Sequence, residues 1–287
     1  MLENRHFNPS ENQLIYHYCS AETFHSICTN RTIRFSDLFS MNDFLEIHWG
    51  YHIWEKAANK IYDEVTEEFL ENIDKIISGS SLKLNYLASC FSLEGDVLSQ
   101  WRAYADDGNG YCIGFDANQI IDLPVTALEV LYDENQQIHE VADILTNIYN
   151  VEMNLPEDER YGTDFFEICA LLACDLTSLK NPAFSEEKEI RLIHLLNFEE
   201  SNIFFKLVDK GGTYFGKEYE GQEIKFRMAN NLPVPYQDYN FINNDISPIR
   251  EVILGPKNDS RITAVSVYLE TIGIDNVEVK KSKASYR

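Results

Sequence analysis

The sequence predicts an α+β fold, a mixed β-sheet core carrying a helical insertion. Three observations point there. Short β-prone runs bounded by turn residues recur from the first twenty residues to the last. Long segments with apolar residues at helical spacing gather in two stretches. No repeat, low-complexity tract or long linker interrupts the chain, so residues 1–287 read as a single domain.

Gln13 to Cys19 is a short β-prone run, and Ser20 after it is placed to cap a helix reaching about Thr29 that buries Phe24, Ile27 and Cys28. Thr32 to Asp37 reads as a second strand. Asn42 and Asp43 sit where a helix cap belongs, ahead of two helices with apolar positions at Trp54, Ile61, Val65, Phe69, Ile73 and Ile76. Gly79-Ser80-Ser81 closes that section. Tyr86 to Ser92 is a buried strand, Val97 to Tyr104 a helix, Asp106 to Gly110 a turn, and Tyr111 to Asp116 another buried strand. After a short candidate strand in Val125 to Tyr132, the helices Glu134–Met153 and Asp164–Leu179 form the insertion, at about 134–179.

Lys180 to Ile193 follows an Asn-Pro break, and its alternation reads as a strand with Glu187, Glu189 and Arg191 on one face. Either that face is a solvated edge or it points into a site. Strands at Ile203–Val208, Glu223–Met228 and Ile249–Leu254, a helix at Arg261–Ile272 and a strand at Val277–Val279 complete the chain.

Composition narrows function more than fold. A formal net charge of -23 surrounds the molecule with a negative field. That field disfavours phosphate backbones and anionic membranes, so duplex DNA is an unlikely partner. No apolar run approaches the roughly 18 residues of a membrane span, and no basic-then-apolar leader is present. Six scattered cysteines without a Cys-x-x-Cys pair fit free thiols in a reducing cytoplasm, and they give no structural metal site.

Several constellations carry potential chemistry. His17 faces opposite to Tyr16 and Tyr18 on the first strand. Asn42, Asp43 and Glu46 place an amide and two carboxylates within about one helical turn, whether as caps or as ligand contacts. His48 and His52 stand at i, i+4, but Glu46 is misplaced for a His-Glu-x-x-His site. Trp101, Arg102 and Tyr104 precede a glycine turn that could hold a planar ring or a phosphate, or else are core aromatics before a hairpin. Rossmann, P-loop and nucleophile-elbow patterns are absent.

Taken together, the chain resembles the bacterial family catalogued as domain of unknown function 2971. The resemblance rests on Tyr16-His17-Tyr18, Phe39 to Glu46, Cys90-Phe91-Ser92, Trp101 to Phe115, Lys180 to Arg191, Glu251 to Pro256, and Ser282 with Tyr286-Arg287. Where the family often has Trp-x-His-Tyr, this chain has Trp101-Arg102-Ala103-Tyr104. More distantly, a histidine on the first strand and a Glu-x-Glu on a late strand resemble the ADP-ribosyltransferase-like fold. That resemblance implies NAD as substrate, His17 on its ribose, and Glu189 as the catalytic carboxylate with Glu187 as the alternative. Trp101, Tyr104 or Tyr18 would pack on nicotinamide, and Asn42, Asp43, Glu46, Arg102 and Arg191 would be further contacts. It implies an ADP-ribosyltransferase or NAD glycohydrolase, in a toxin or phage-defence setting, with a protein or small-molecule acceptor, a possible neutralising partner protein and no metal. Two other classes stay open: a nucleotide or small-ligand sensor without turnover, and a metal-dependent hydrolase or nuclease using Asp43, Glu46, Glu187 and Glu189.

Overall fold

The computed structural model of the chain describes all residues except 1–4, 41–43, 80–83, 215, 230, 243–245 and 287, and all side chains of the rest except those of residues 39 and 44–47. Strand β1 (Leu14–Cys19) leads into helix α1 (Ala21–Asn30), where the Ser20 side chain caps by accepting the Thr23 N–H. Arg31, at φ 59°, ends the helix in the left-handed region and turns the chain into β2 (Thr32–Asp37). Helices α2 (Phe44–Lys60) and α3 (Glu67–Gly79) precede β3 (Leu84–Ser92), α4 (Leu98–Tyr104), β4 (Tyr111–Asp116), the single turn α5 (Ala117–Ile120) and β5 (Thr126–Glu129). Helices α6 (Glu134–Met153) and α7 (Thr163–Leu176) follow, then β6 (Glu189–Glu200), β7 (Phe205–Val208), β8 (Gly212–Tyr214), β9 (Lys217–Tyr219), β10 (Lys225–Ala229), β11 (Leu232–Asn240), β12 (Ile249–Leu254), α8 (Ile262–Thr271) and β13 (Glu278–Lys281). The fold is α+β, with a large mixed sheet: its ladders are antiparallel except β12–β13, which α8 joins as a parallel crossover.

Strand β3 is the trunk of that sheet. One of its edges takes β6 along its whole length, from Leu84 opposite Asn197 to Ser92 opposite Glu189. The other edge is shared. Strand β2 pairs there at Asp37–Leu87 and Ser36–Ala88, and β1 at Tyr16–Ser92. From these two attachment points the sheet forks into a wing β1–β4–β12–β13 and a wing β2–β11–β10.

Each face of the sheet is covered by different helices. On one face, Phe24 and Ile27 of α1 and Val265 and Leu269 of α8 pack with Ile33, Phe35, Phe91, Ile113, Phe115 and Leu192 into the largest core. On the other, Trp101 and Ala105 of the α4 segment pack with Tyr18, Cys112 and Ile253. Helices α2, α3, α6 and α7 share a separate apolar core that includes Ile53, Ile73, Leu145 and Leu172. Cys174 of α7 joins Tyr86, Ala88 and Ile193 in the cluster between that layer and the sheet. The predicted helical insertion therefore packs as half of a four-helix layer, because the apolar stripes of α2 and α3 are covered by those of α6 and α7.

Three differences from the sequence reading have clear causes. Strand β11 is not predicted, because Pro233 and Pro235 argue against an interior strand. Both prolines lie ahead of Tyr236, where pairing with β2 begins, so that stretch of β11 has a ladder on the β10 side alone and can spare two N–H groups. The glycine-marked turns at 211–216 belong to a small β8–β9 hairpin. Strand β6 starts at Glu189, not Glu187: Pro182–Glu187 is a 3-10 turn, and Lys188 stands in the left-handed region at φ 42°, which breaks the alternation. Glu187 is therefore not on the strand face shared by Glu189 and Arg191.

Candidate functional site

A cavity of about 610 Å³ opens at the fork. Its volume lies within the usual range for small-ligand sites. Residues directly opposed on neighbouring strands share a face, so Tyr16, Ser92 and Glu189 form one row of its floor, and Cys90 with Arg191 and Ala88 with Ser36 form the next two. The gap where β1 and β2 diverge admits His17, Ser89 and Phe91, which stem from the opposite face. Helix α4 contributes Gln100 and Tyr104, and the 3-10 turn contributes Phe184 and Glu187.

Four charged side chains form its centre. Arg191 donates to Glu189 through Nε at 2.8 Å and Nη2 at 3.0 Å, and its Nη1 donates to the Thr177 carbonyl at 2.6 Å. Lys180 Nζ bridges the two carboxylates, bonding Glu187 and, at 3.2 Å, Glu189. Glu187 also accepts from the Tyr104 hydroxyl at 3.1 Å. Side-chain exposure is 4% for Lys180, 6% for Glu189 and 3% for Arg191 against 12% for Glu187, which makes Glu187 the more accessible carboxylate. Burial pushes the Glu189 carboxyl up, but Arg191 and Lys180 outweigh it and hold it at about 2, so Glu189 is ionised. The Cys90 thiol is driven well up by burial and then by Glu189, which makes it a protonated wall residue and not a nucleophile.

Backbone geometry fixes this centre. The chain leaving β5 and the chain leaving α7 meet in a parallel bridge between Leu131 and Leu179, and the Lys180 N–H donates to the Leu131 carbonyl at 3.0 Å. Fully buried Gln137 donates to the carbonyls of both Leu131 and Lys180, clamping the two ends of the helical excursion together. Tyr132 accepts the Glu189 N–H at 3.0 Å.

Around the charges lie neutral polar groups with hydrogen-bonding atoms left unpaired among the described residues. His17 holds the Cys90 carbonyl through Nδ1 at 3.0 Å, which makes Nδ1 the donor and leaves Nε2 as an acceptor for the cavity. Burial lowers the His17 pKa, the carbonyl only partly opposing it, so the ring is neutral. Gln100 is 6% exposed and Ser89 2%; the Ser89 hydroxyl has no hydrogen-bond partner, and no side-chain bond is formed by Gln100. Buried polar groups normally find partners inside the protein, and these are spare hydrogen-bonding capacity at the cavity wall.

Of the residues singled out in the sequence, His17, Tyr18, Tyr104, Glu187, Glu189 and Arg191 line the cavity. Tyr18 is committed to structure: its ring meets Trp101 edge-on at 4.9 Å, and its hydroxyl donates to the Glu94 carbonyl and accepts the Val97 N–H. Trp101 is wholly buried outside the cavity, donating to Asp96 at 2.7 Å. Arg102 lies over Tyr286 on the surface. Asn42 and Asp43, and the side chain of Glu46, fall outside the described residues. Sequence reasoning did not single out Lys180, Gln100, Ser89, Arg34 or Arg227; only Lys180 gave a signal, as a lone cation beside the Asn-Pro break of an acidic block. All six cysteines are free, and among the described residues no three ligating side chains gather into a metal site and no helix is long and apolar enough to cross a membrane.

No curated protein and no solved structure matches this chain. Residues 100–192, which carry Gln100, Tyr104, Lys180, Glu187, Glu189 and Arg191, match the family described as protein of unknown function (DUF2971).

Proposed function

We propose that the fork cavity binds NAD and cleaves its nicotinamide–ribose bond, passing ADP-ribose to water or to a protein or small-molecule acceptor. The observation that carries this reading is the meeting of a neutral His17 with the Glu187/Glu189 pair in one cavity. His17 Nε2 accepts from a ribose hydroxyl. A carboxylate beside the ring stabilises the oxocarbenium-like charge that develops as the bond to C1′ breaks. The bonding pair leaves with nicotinamide, which becomes a neutral pyridine; the acceptor oxygen then bonds C1′ and releases its proton. Glu187 suits the catalytic role better than Glu189, because Glu189 is held by both Arg191 and Lys180 whereas Glu187 is the more exposed, meets Lys180 through one oxygen and meets only the Tyr104 hydroxyl through the other. Tyr104 and Phe184 supply aromatic surface for the nicotinamide ring.

The test is nicotinamide release from NAD by the purified protein. Glu187→Gln is expected to lower the rate by about 100-fold or more, as loss of a transition-state contact does, and His17→Ala by about 10-fold. Absence of release by the unaltered protein, with and without a cell lysate as acceptor source, removes the catalytic reading. One observation favours a second reading, a nucleotide sensor without turnover: the two carboxylates are balanced by Lys180 and Arg191, which leaves little excess negative charge. A sensor shows NAD-dependent thermal stabilisation with no release, and Glu187→Gln then changes affinity alone. The same pairing disfavours a metal-dependent hydrolase, since both carboxylates are already engaged by cations.

A further inference from the structure

The charge of the cavity is opposite to that of the molecule. The chain carries 47 acidic residues against 24 lysines and arginines, yet the charged residues lining the cavity are four cations, Arg34, Lys180, Arg191 and Arg227, and two carboxylates, Glu187 and Glu189. Lys180 and Arg191 are spent on the carboxylates. The other two cations, Arg34, which is paired with Asp238, and Arg227, stand on the wing β2–β11–β10, away from the Glu187 end.

Pairing of Arg34 with Asp238, of Ser36 with Tyr236 and of Arg227 with Val234 sets both guanidinium-bearing side chains on the same sheet face as Ser36, Cys90 and Arg191. Arg34 is pre-oriented: its guanidinium lies 4.0 Å over the Tyr236 ring and donates to Asp238 through Nε at 2.8 Å and more weakly through Nη2 at 3.4 Å. Its Nη1 has no hydrogen bond among the described residues. Arg227 has no ion pair or hydrogen bond among the described residues, although acidic side chains outnumber basic ones about two to one. Ser36, 7% exposed, adds a hydroxyl with no partner among the described residues, on the same strand face as Arg34.

We infer that Arg34, Arg227 and Ser36 form a phosphate-binding end of the cavity, so that its ligand is a nucleoside carrying a diphosphate, held by its phosphates on the β2–β11–β10 wing. Guanidinium groups match phosphate oxygens in a planar fork and form charge-assisted bonds. This deepens the NAD reading by fixing which end of the ligand each wing holds, but it stands on a separate observation and is tested without turnover.

Isothermal titration of the full chain with ADP, inorganic pyrophosphate and adenosine decides it. ADP is expected to bind at least 10-fold more tightly than adenosine, and pyrophosphate to compete with it. Arg227→Gln, a change at an exposed position, is expected to weaken ADP about 10- to 100-fold, the loss of one charge-assisted contact, and to leave adenosine unchanged. Arg227→Lys recovers part of that loss, and Asp238→Asn, which frees Arg34, shifts ADP affinity again. ADP binding no tighter than adenosine, or ADP affinity in Arg227→Gln equal to that of the unaltered chain, overturns the proposal. ADP binding that depends on Arg227, with no nicotinamide release from NAD, upholds it and overturns NAD cleavage alone.

Discussion

Glu189 is ionised inside the protein because two cations meet it there, and stability should report that. Its carboxyl is held at about 2 against an ordinary 4.5, a difference worth about 3 kcal/mol at neutral pH. Because the folded value is depressed, the contribution is complete above pH 4.5, where the unfolded chain is also ionised, and drains away as pH falls from 4.5 towards 2. Denaturant titrations across that window should show a steep acid slope that flattens in Glu189→Gln. Arg191→Ala should cost about 3–5 kcal/mol, since it strands a buried carboxylate, while the double change Glu189→Met with Arg191→Leu should cost less than the two single changes added. Neutral His17 behaves in the same sense: its folded pKa lies below 6.5, so ligand affinity should stay flat as pH falls through 6.5 and drop only below the lowered value. At this scale the sequence showed Glu189 and Arg191 on one face through plain alternation. It could not place Glu187, which the left-handed Lys188 redirects, nor Lys180, whose approach depends on the Leu131–Leu179 bridge.

Among the elements, boundaries were most readable where a local signal ends a segment. Ser20 caps α1, and Asp133 caps α6 by accepting the Gln136 N–H. Strand β11 was lost because its two prolines are tolerated only through the sheet's staggered pairing, a property of neighbours and not of the segment. Helix packing was half readable. Apolar spacing marked α2 and α3 as packing helices and α6 and α7 read as an insertion, but that the two pairs pack together was not visible, because they lie far apart in the chain. Gly50 of α2 faces the Leu176 carbonyl of α7 so closely that a Cβ would come within 2.6 Å of it. Gly50→Ala should therefore push the two helices apart and destabilise by about 1–3 kcal/mol, measured by chemical unfolding, despite the better helix propensity of alanine. Tyr16 is set in a similar way at the cavity floor, its ring in the space beside Gly95 where a Cβ would come within 2.5 Å.

On the scale of the whole molecule, a net charge of -23 and a cation-rich cavity act in opposite directions on the anionic ligand inferred above. The global field slows approach of an anion, and the local guanidinium groups hold it once inside. Affinity for ADP should then fall on raising salt if contacts at Arg34 and Arg227 dominate, and rise if the global field dominates; titration at low and high ionic strength separates the two, and the phosphate-end inference expects the fall. The α+β class was legible from strand and helix periodicity. The fork was not, because periodicity says which residues share a face and never which strands share an edge.

That fork also dictates when the site can exist. Strand β3 must pair with β1 and β2 behind it and with β6 ahead of it, and Arg227 arrives later still, on β10. Pairings across on the order of 100 residues are slow to close. A chain still being synthesised therefore holds His17 long before it holds Glu187, and Glu187 before Arg227, so the cavity has neither its charged centre nor its Arg227 wall until most of the polypeptide has emerged. Whatever this pocket does, the unfinished chain does not do it.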